Sequence, residues 1–224
     1  MSRLPAAVLW DMDGTLVDTE PYWIAAEHEL VAEHGGEWND EFAHQLVGNA
    51  LEVSAQLILD QSGITLSVPE IIDGLLERVI ASVQVAMPWR PGALELLTAL
   101  GDAGVPSALV TMSWRSLVDA VVVNLPEGAF EVLITGDAVS HGKPHPEPYL
   151  EATRILGVDP QDCVALEDSP TGVRSATAAG VPTIAIPHIV PVPDIVGSVQ
   201  VETLRGVLPT DLRGLFSRAP RPTG

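Results

Sequence analysis

The chain has 224 residues, 46% of them hydrophobic, and a net charge of −19. That length and apolar share suit one folded domain, or a domain with a smaller insert, and exclude a disordered chain. The acidity argues against nucleic acid and anionic membranes as partners. The single cysteine, Cys163, cannot form an internal disulfide, and no Cys/His array suggests structural zinc. The apolar run from Leu4 to Trp10 is too short for a membrane span and ends at Asp11. A cytoplasmic monomer is the expectation.

In chain order, a first short apolar strand is predicted over Ala6–Trp10. The segment 19–87 then reads as helices only, with amphipathic stretches near 20–34, 40–46, 50–61 and 69–86. Thr19-Glu20-Pro21 has the residues of a helix start: a hydroxyl, an acid and a first-turn proline. From there strands and helices alternate. Strands are expected at Pro106–Val110, Glu131–Thr135, Cys163–Glu167 and Pro182–Ile186, and helices near 92–102, 114–124, 146–156 and 170–179. Gly104, Gly157 and Gly180 stand where helices should stop. The pattern predicts an α/β, Rossmann-like core, 1–18 and 88–224, with a mainly parallel sheet flanked by helices. A small all-helical domain, 19–87, is inserted after the first strand. The tail 217–224 is expected to fray.

Ligands in such sheets sit at the carboxyl ends of the strands, and four strand ends here carry reactive side chains. Asp11-Met12-Asp13-Gly14-Thr15 offers two carboxylates, suited to a divalent cation or to nucleophilic and proton-transfer roles, although an Asx turn uses the same residues. Thr111-Met112-Ser113 offers a hydroxyl and free N–H groups for a phosphate oxygen, or simply a helix cap. The chain has ten arginines and one lysine, Lys143 in Gly142-Lys143-Pro144. A compact ammonium at a helix start is disfavoured by the macrodipole unless it balances anions in a cleft. Glu167-Asp168-Ser169-Pro170 places two acids side by side, which calls for a compensating cation or donors, or a capping role. His141 and His145 read as ordinary loop residues.

Taken together and in this order, the four segments resemble the motifs of the haloacid dehalogenase superfamily, and the helical insert resembles its C1 cap. Asp18-Thr19-Glu20-Pro21, Gly48-Asn49 and Pro91-Gly92 are similar to the subgroup of small sugar-phosphate phosphatases and β-phosphoglucomutase. The resemblance covers nearly the whole chain. It implies that Asp11 is a nucleophile forming an aspartyl-phosphate, and that Asp13 protonates the leaving oxygen and then activates water. It further implies Mg2+ on the carboxylates of Asp11 and Asp168 and on the Asp13 carbonyl, with Glu167 a direct or outer ligand. Thr111 and the Met112 N–H would bind the phosphoryl group, and Lys143 would neutralise charge there.

Within that resemblance, Asp13 with Glu167 and Asp168 argues for phosphate chemistry over metal-free dehalogenation. Residues 19–87 contain no lysine, which removes Schiff-base phosphonate hydrolysis. They hold twelve acids against Arg78, so a second phosphate is unwelcome and hydrolysis is favoured over a phosphosugar mutase, the alternative. Trp23 stands where mutase-like members carry a histidine. Tyr22, Trp23, Gly48, Asn49 and Glu52 are the candidates to face a small sugar or polyol monophosphate. A signalling receiver domain, with Asp137 as acceptor, is the rival from another class and is disfavoured by the long insert.

Overall fold

The structure, a computed structural model, describes residues 4–46 and 48–218. Six strands form one sheet: β1 (Val8–Trp10), β2 (Ser107–Val110), β3 (Val132–Ile134), β4 (Val164–Glu167), β5 (Thr183–Ala185) and β6 (Ser198–Gln200). Their order is β3-β2-β1-β4-β5-β6, and every pairing is parallel. The architecture is α/β and Rossmann-like.

Alternating side chains bury both faces, as central parallel strands require. Val8, Trp10, Leu109, Leu166 and Ile184 face one core, while Leu9, Ala108, Val110 and Ala165 face the other. Helices α5 (Ala93–Asp102) and α6 (Arg115–Val122) cover the first face through Leu96, Leu100, Leu117 and Val121. On the opposite face, α7 (Glu147–Leu156) and α8 (Pro170–Ala178) contribute Tyr149, Ala152 and Ala176.

Between β1 and α5 run α1 (Glu20–Glu33), α2 (Asp40–Ala43), α3 (Leu51–Ser62) and α4 (Val68–Val85). A capping box of Ser67 and Glu70 starts α4 and satisfies otherwise orphaned N–H groups. Its buried Ile71, Leu75, Val79 and Val83 follow helical spacing, and α4 packs against α1, α3 and α6. The chain leaves and re-enters the sheet side by side. Asp18 N donates to Pro88 O at 2.7 Å, and Arg90 N donates to Leu16 O at 2.9 Å.

Two elements lie outside the expected pattern. Strand β6 is a three-residue, partly exposed edge with one branched apolar residue, Val199, which gives almost no periodic signal. Helix α9 (Leu212–Arg218) is anchored by Leu212 and packs on β6. It reaches into the tail expected to fray, and residues 219–224 lie outside the described residues. No helix among the described residues is long and apolar enough to cross a membrane.

Candidate active site

Register decides what meets at the sheet edge. Trp10 pairs with Leu109 on one side and Leu166 on the other, so Asp11 is level with the last residues of β2 and β4. The Asp11 N–H donates to Leu166 O at 3.0 Å. Thr111 and Asp168 follow one residue further on. The strand order turns to opposite sides at β1, and the crevice at that switch point is where such sheets bind ligands.

Asp13 is half-buried and held by four donors. Its Oδ1 accepts from Thr19 Oγ1 at 2.5 Å and from Trp23 Nε1 at 3.4 Å. Its Oδ2 accepts from Ser113 Oγ at 2.7 Å and Thr111 Oγ1 at 3.3 Å. The Ser113 N–H in turn donates to Thr111 Oγ1 at 3.0 Å, fixing that hydroxyl. Gly136 lets this loop lie close, since a Cβ there would stand 2.1 Å from Met112 O. The Met112 N–H has no hydrogen-bond partner among the described residues, and Met112 lines the cleft.

Lys143 is buried, its side chain 4% exposed, between two carboxylates. Its Nζ donates to Asp11 Oδ1 at 2.7 Å and Glu167 Oε1 at 2.5 Å. Burial alone would push its ammonium down, but Asp11 and Glu167 outweigh that and hold it above its usual value. Glu167 is fully buried. The same Oε1 accepts from the Tyr149 hydroxyl at 2.6 Å, and Oε2 accepts from Ser169 Oγ at 3.4 Å. Space for it depends on Gly172, where a Cβ would fall 1.9 Å from Oε1. Burial, then the Glu167 charge, raises the Tyr149 phenol and keeps it a donor.

Four acids and one lysine leave the cleft short of positive charge. Burial pushes the Asp11 carboxyl up to about 7, opposed by Lys143 and reinforced by Glu167 and Asp13. Burial and then Asp11 raise Asp168 well above the usual carboxylate range. Oxygens of Asp11, Glu167 and Asp168 lie within 4.8 Å of one another. Asp11 Oδ2 is buried without a hydrogen-bond partner. Gly14, at φ +88°, leaves room for Asp168: a Cβ there would stand 2.0 Å from Asp168 Oδ2. An orphaned oxygen, a second carboxylate in a glycine-made space and an all-oxygen donor set fit a hard divalent cation.

The helical insert forms the opposite wall. Trp23, Gly48 and Asn49 line the cleft, together with Glu20 and Glu27. A Cβ on Gly48 would approach Ser169 to 3.5 Å, so the insert reaches the fourth motif. Burial, with Asp13 and Asp18, pushes the Glu20 carboxyl up to about 7. Tyr22 and Glu52 are not among the lining residues. Tyr22 instead donates from its hydroxyl to Ala86 O at 3.0 Å, tying α1 to the returning chain, and Glu52 is exposed to solvent.

A family model described as haloacid dehalogenase-like hydrolase matches residues 8–186. The chain belongs to that family. It is 33% identical over 193 residues to hexitol phosphatase A of Escherichia coli, covering 80% of this chain and 81% of that one. It is also 31% identical over 192 residues, 84% of its length, to the bifunctional riboflavin kinase/FMN phosphatase of Arabidopsis thaliana, of which it spans 50%. The crystal structure of CbbY from Rhodobacter sphaeroides in complex with phosphate superimposes with a TM-score of 0.84 at 28% identity, covering 95% of this chain and 100% of that one. Within the family the chain is an enzyme of the phosphatase kind.

This hydrolase site also contains residues to which the sequence alone gave no role of their own. Tyr149 and Ser113 hold the predicted residues in place. His188, after β5, lines the cleft and links both limbs of the insert: Nε2 bonds Asp18 Oδ1 at 2.8 Å and Nδ1 bonds an Arg90 guanidinium nitrogen at 2.9 Å. A lone loop histidine gives no pattern to read. Glu27 did leave a signal, because it falls on the apolar stripe Trp23, Ala26, Leu30, Val31. His141 and His145 are exposed, pair with Glu147 and lie outside the cleft.

Proposed function

We propose that this protein hydrolyses a small sugar or polyol monophosphate through an aspartyl-phosphate on Asp11, with Mg2+ as cofactor. The observation that carries the reading is the pairing of Asp11 with Lys143 beside an Asp13 held by four donors. Asp11 attacks phosphorus while Lys143 balances the charge that the phosphoryl group brings next to it. Thr111 and the unpartnered Met112 N–H receive phosphoryl oxygens. Asp13 donates a proton to the departing oxygen, then takes one from the water that cleaves the intermediate. Mg2+ would be held by the carboxylates of Asp11 and Asp168 and the Asp13 carbonyl, and when bound it supplies charge neutralisation and orientation of the phosphoryl group. Glu167, committed to Lys143 and Tyr149, acts from outside that ligand set.

In this reading residues 19–87 act as a cap over a core of 1–18 and 88–224. The cap opens for the substrate and closes to exclude water. The paired limbs at 16–18 and 88–90 are the hinge. Sugar and polyol substrates are supported by the hexitol phosphatase likeness and by a cap wall that sets Asn49 and Ser54 beside apolar residues, with no basic residue among its described lining. A mutase needs a cation for a second phosphate, and the wall there carries Glu20 and Glu27.

A panel of phosphorylated metabolites, assayed for phosphate release with Mg2+ and with chelator, tests the proposal. Release of phosphate from sugar or polyol monophosphates only with the metal is the expected result. Asp11→Asn should lower it by about a thousandfold or more while the fold persists. Retained turnover in that variant would remove Asp11 as nucleophile.

A further inference from the structure

Beyond Trp23 the cleft continues to two polar groups that phosphoryl transfer leaves without a task. Glu27 follows Trp23 by four residues, so it shares that face of α1 about 6 Å further along the helix. The residue is 4% exposed, and its Oε2 accepts from Trp38 Nε1 at 3.1 Å. Oε1 has no hydrogen-bond partner among the described residues, although Glu27 lines the cleft. Ser54, on α3, is 6% exposed, lines the same cleft and has no partner for its hydroxyl among the described residues. Neither oxygen is among the described side-chain atoms that are both fully buried and without a partner, and both residues line the cleft. Leu46, Leu51 and Leu75 also line it. Polar groups this buried are stable when something supplies the missing hydrogen bonds.

The chemistry of that something is constrained. Lys143 and His188 are the only basic residues among the described lining; Lys143 is committed to Asp11, and both ring nitrogens of His188 are committed to Asp18 and Arg90 at the roots of the insert. A second phosphate would therefore meet a carboxyl group and no cation. Burial, with a contribution from Glu20 and against the pull of the Trp38 N–H, pushes the Glu27 carboxyl up to about 8. At neutral pH it is protonated, and like the serine hydroxyl it both donates and accepts. Groups of that kind match neutral hydroxyls. We infer that Glu27 and Ser54 form a subsite for the distal hydroxyl groups of a polyol or sugar monophosphate whose phosphate lies at Asp11. The inference rests on the phosphatase reading above and assigns the far end of the same cleft.

The test compares phosphate release by the full chain, with Mg2+, from a hexitol monophosphate and from n-hexyl phosphate, which has the same carbon count and no hydroxyl. The wild-type protein prefers the hexitol compound. Glu27→Leu and Ser54→Ala each reduce the ratio of the two kcat/KM values about tenfold, as expected when a buried hydroxyl loses its partner. Glu27→Gln, which keeps a neutral donor and acceptor, holds the ratio within about threefold. Ser54→Ala decides the matter if Glu27→Leu does not fold. Ratios unchanged in the folded variants overturn the subsite. An equal loss in Glu27→Gln and Glu27→Leu also overturns it, since an ionised carboxylate and a cationic ligand would then be required. Phosphate release from n-hexyl phosphate with no hexitol preference defeats the subsite alone. Release from neither compound, nor from any in the metabolite panel, defeats the phosphatase reading and the subsite with it.

Discussion

The Tyr149 hydroxyl and the Lys143 ammonium converge on one oxygen, Glu167 Oε1, at 2.6 and 2.5 Å. The neutral phenol holds Glu167, and through it the ammonium beside Asp11, without adding charge of its own. Tyr149 bonds Glu167 and does not line the cleft, so it is a positioning residue. Tyr149→Phe should lower kcat about three- to tenfold, matching one net hydrogen bond of about 1 kcal/mol, with KM nearly constant. Steady-state kinetics on a sugar phosphate check this; a change confined to KM would place Tyr149 in substrate binding instead.

Lys143 is the one lysine in the chain and is enclosed on both sides by carboxylates. A guanidinium fork is wider and cannot occupy the space of an ammonium between Asp11 and Glu167. Lys143→Arg should therefore cost about a hundredfold or more in kcat. Lys143→Met should also destabilise the fold by about 3–5 kcal/mol, because two buried carboxylates lose their counter-charge. Phosphate-release assays and denaturant melts measure the two effects separately, and near-wild-type turnover by the arginine variant would refute the geometric argument.

Gly14 gives a direct handle on the proposed metal site. An alanine there needs φ +88° and puts its Cβ 2.0 Å from Asp168 Oδ2, so the carboxylate must swing away. Gly14→Ala should weaken Mg2+ binding about tenfold or more and lower the melting temperature. Calorimetric titration of the metal into the folded variant is the measurement, and unchanged affinity would take Asp168 out of the ligand set.

Protonation of Glu27 should be visible in stability. Its carboxyl titrates from the ordinary 4.5 in the unfolded chain and from about 8 in the folded one, chiefly through burial. Between those values the unfolded chain has released a proton that the folded chain keeps, so stability falls as pH rises from 4.5 towards 8. Glu27→Gln removes that slope and leaves the contribution of Glu20 in place. The melting temperature of the variant relative to wild type should rise by several degrees between pH 5 and pH 9. Melts at the two pH values settle it; a constant offset would mean that Glu27 is ionised throughout.

Much of the sheet was readable because buried parallel strands are short apolar runs bounded by turn residues, as in Val164–Glu167 followed by Asp168. The candidate residues Asp11, Thr111 and Asp168 were readable for a related reason: each sits one position past such a run, where the register of β1, β2 and β4 brings them together, whereas Lys143 stood out as the one lysine of the chain. What escaped reading depends on long-range contact. Tyr149 looks like any core aromatic until Glu167 is found under it, and His188 gains meaning only beside Asp18 and Arg90. Tyr22 had the chemistry of a substrate contact but was drawn to Ala86 O, 64 positions away in the chain. The β6 edge carries too few apolar residues for any periodicity.

The antiparallel contact between residues 16–18 and 88–90 joins the start and finish of the helical insert within one hydrogen bond's reach. Everything between Asp18 and Pro88 therefore behaves as a cassette whose two ends meet the sheet at a single address. A different set of helices grafted at that address would inherit Asp11, Lys143 and Asp168 intact. In the proposed reading, recognition of the leaving group can change with the insert while the residues that act on the phosphorus–oxygen bond stay fixed.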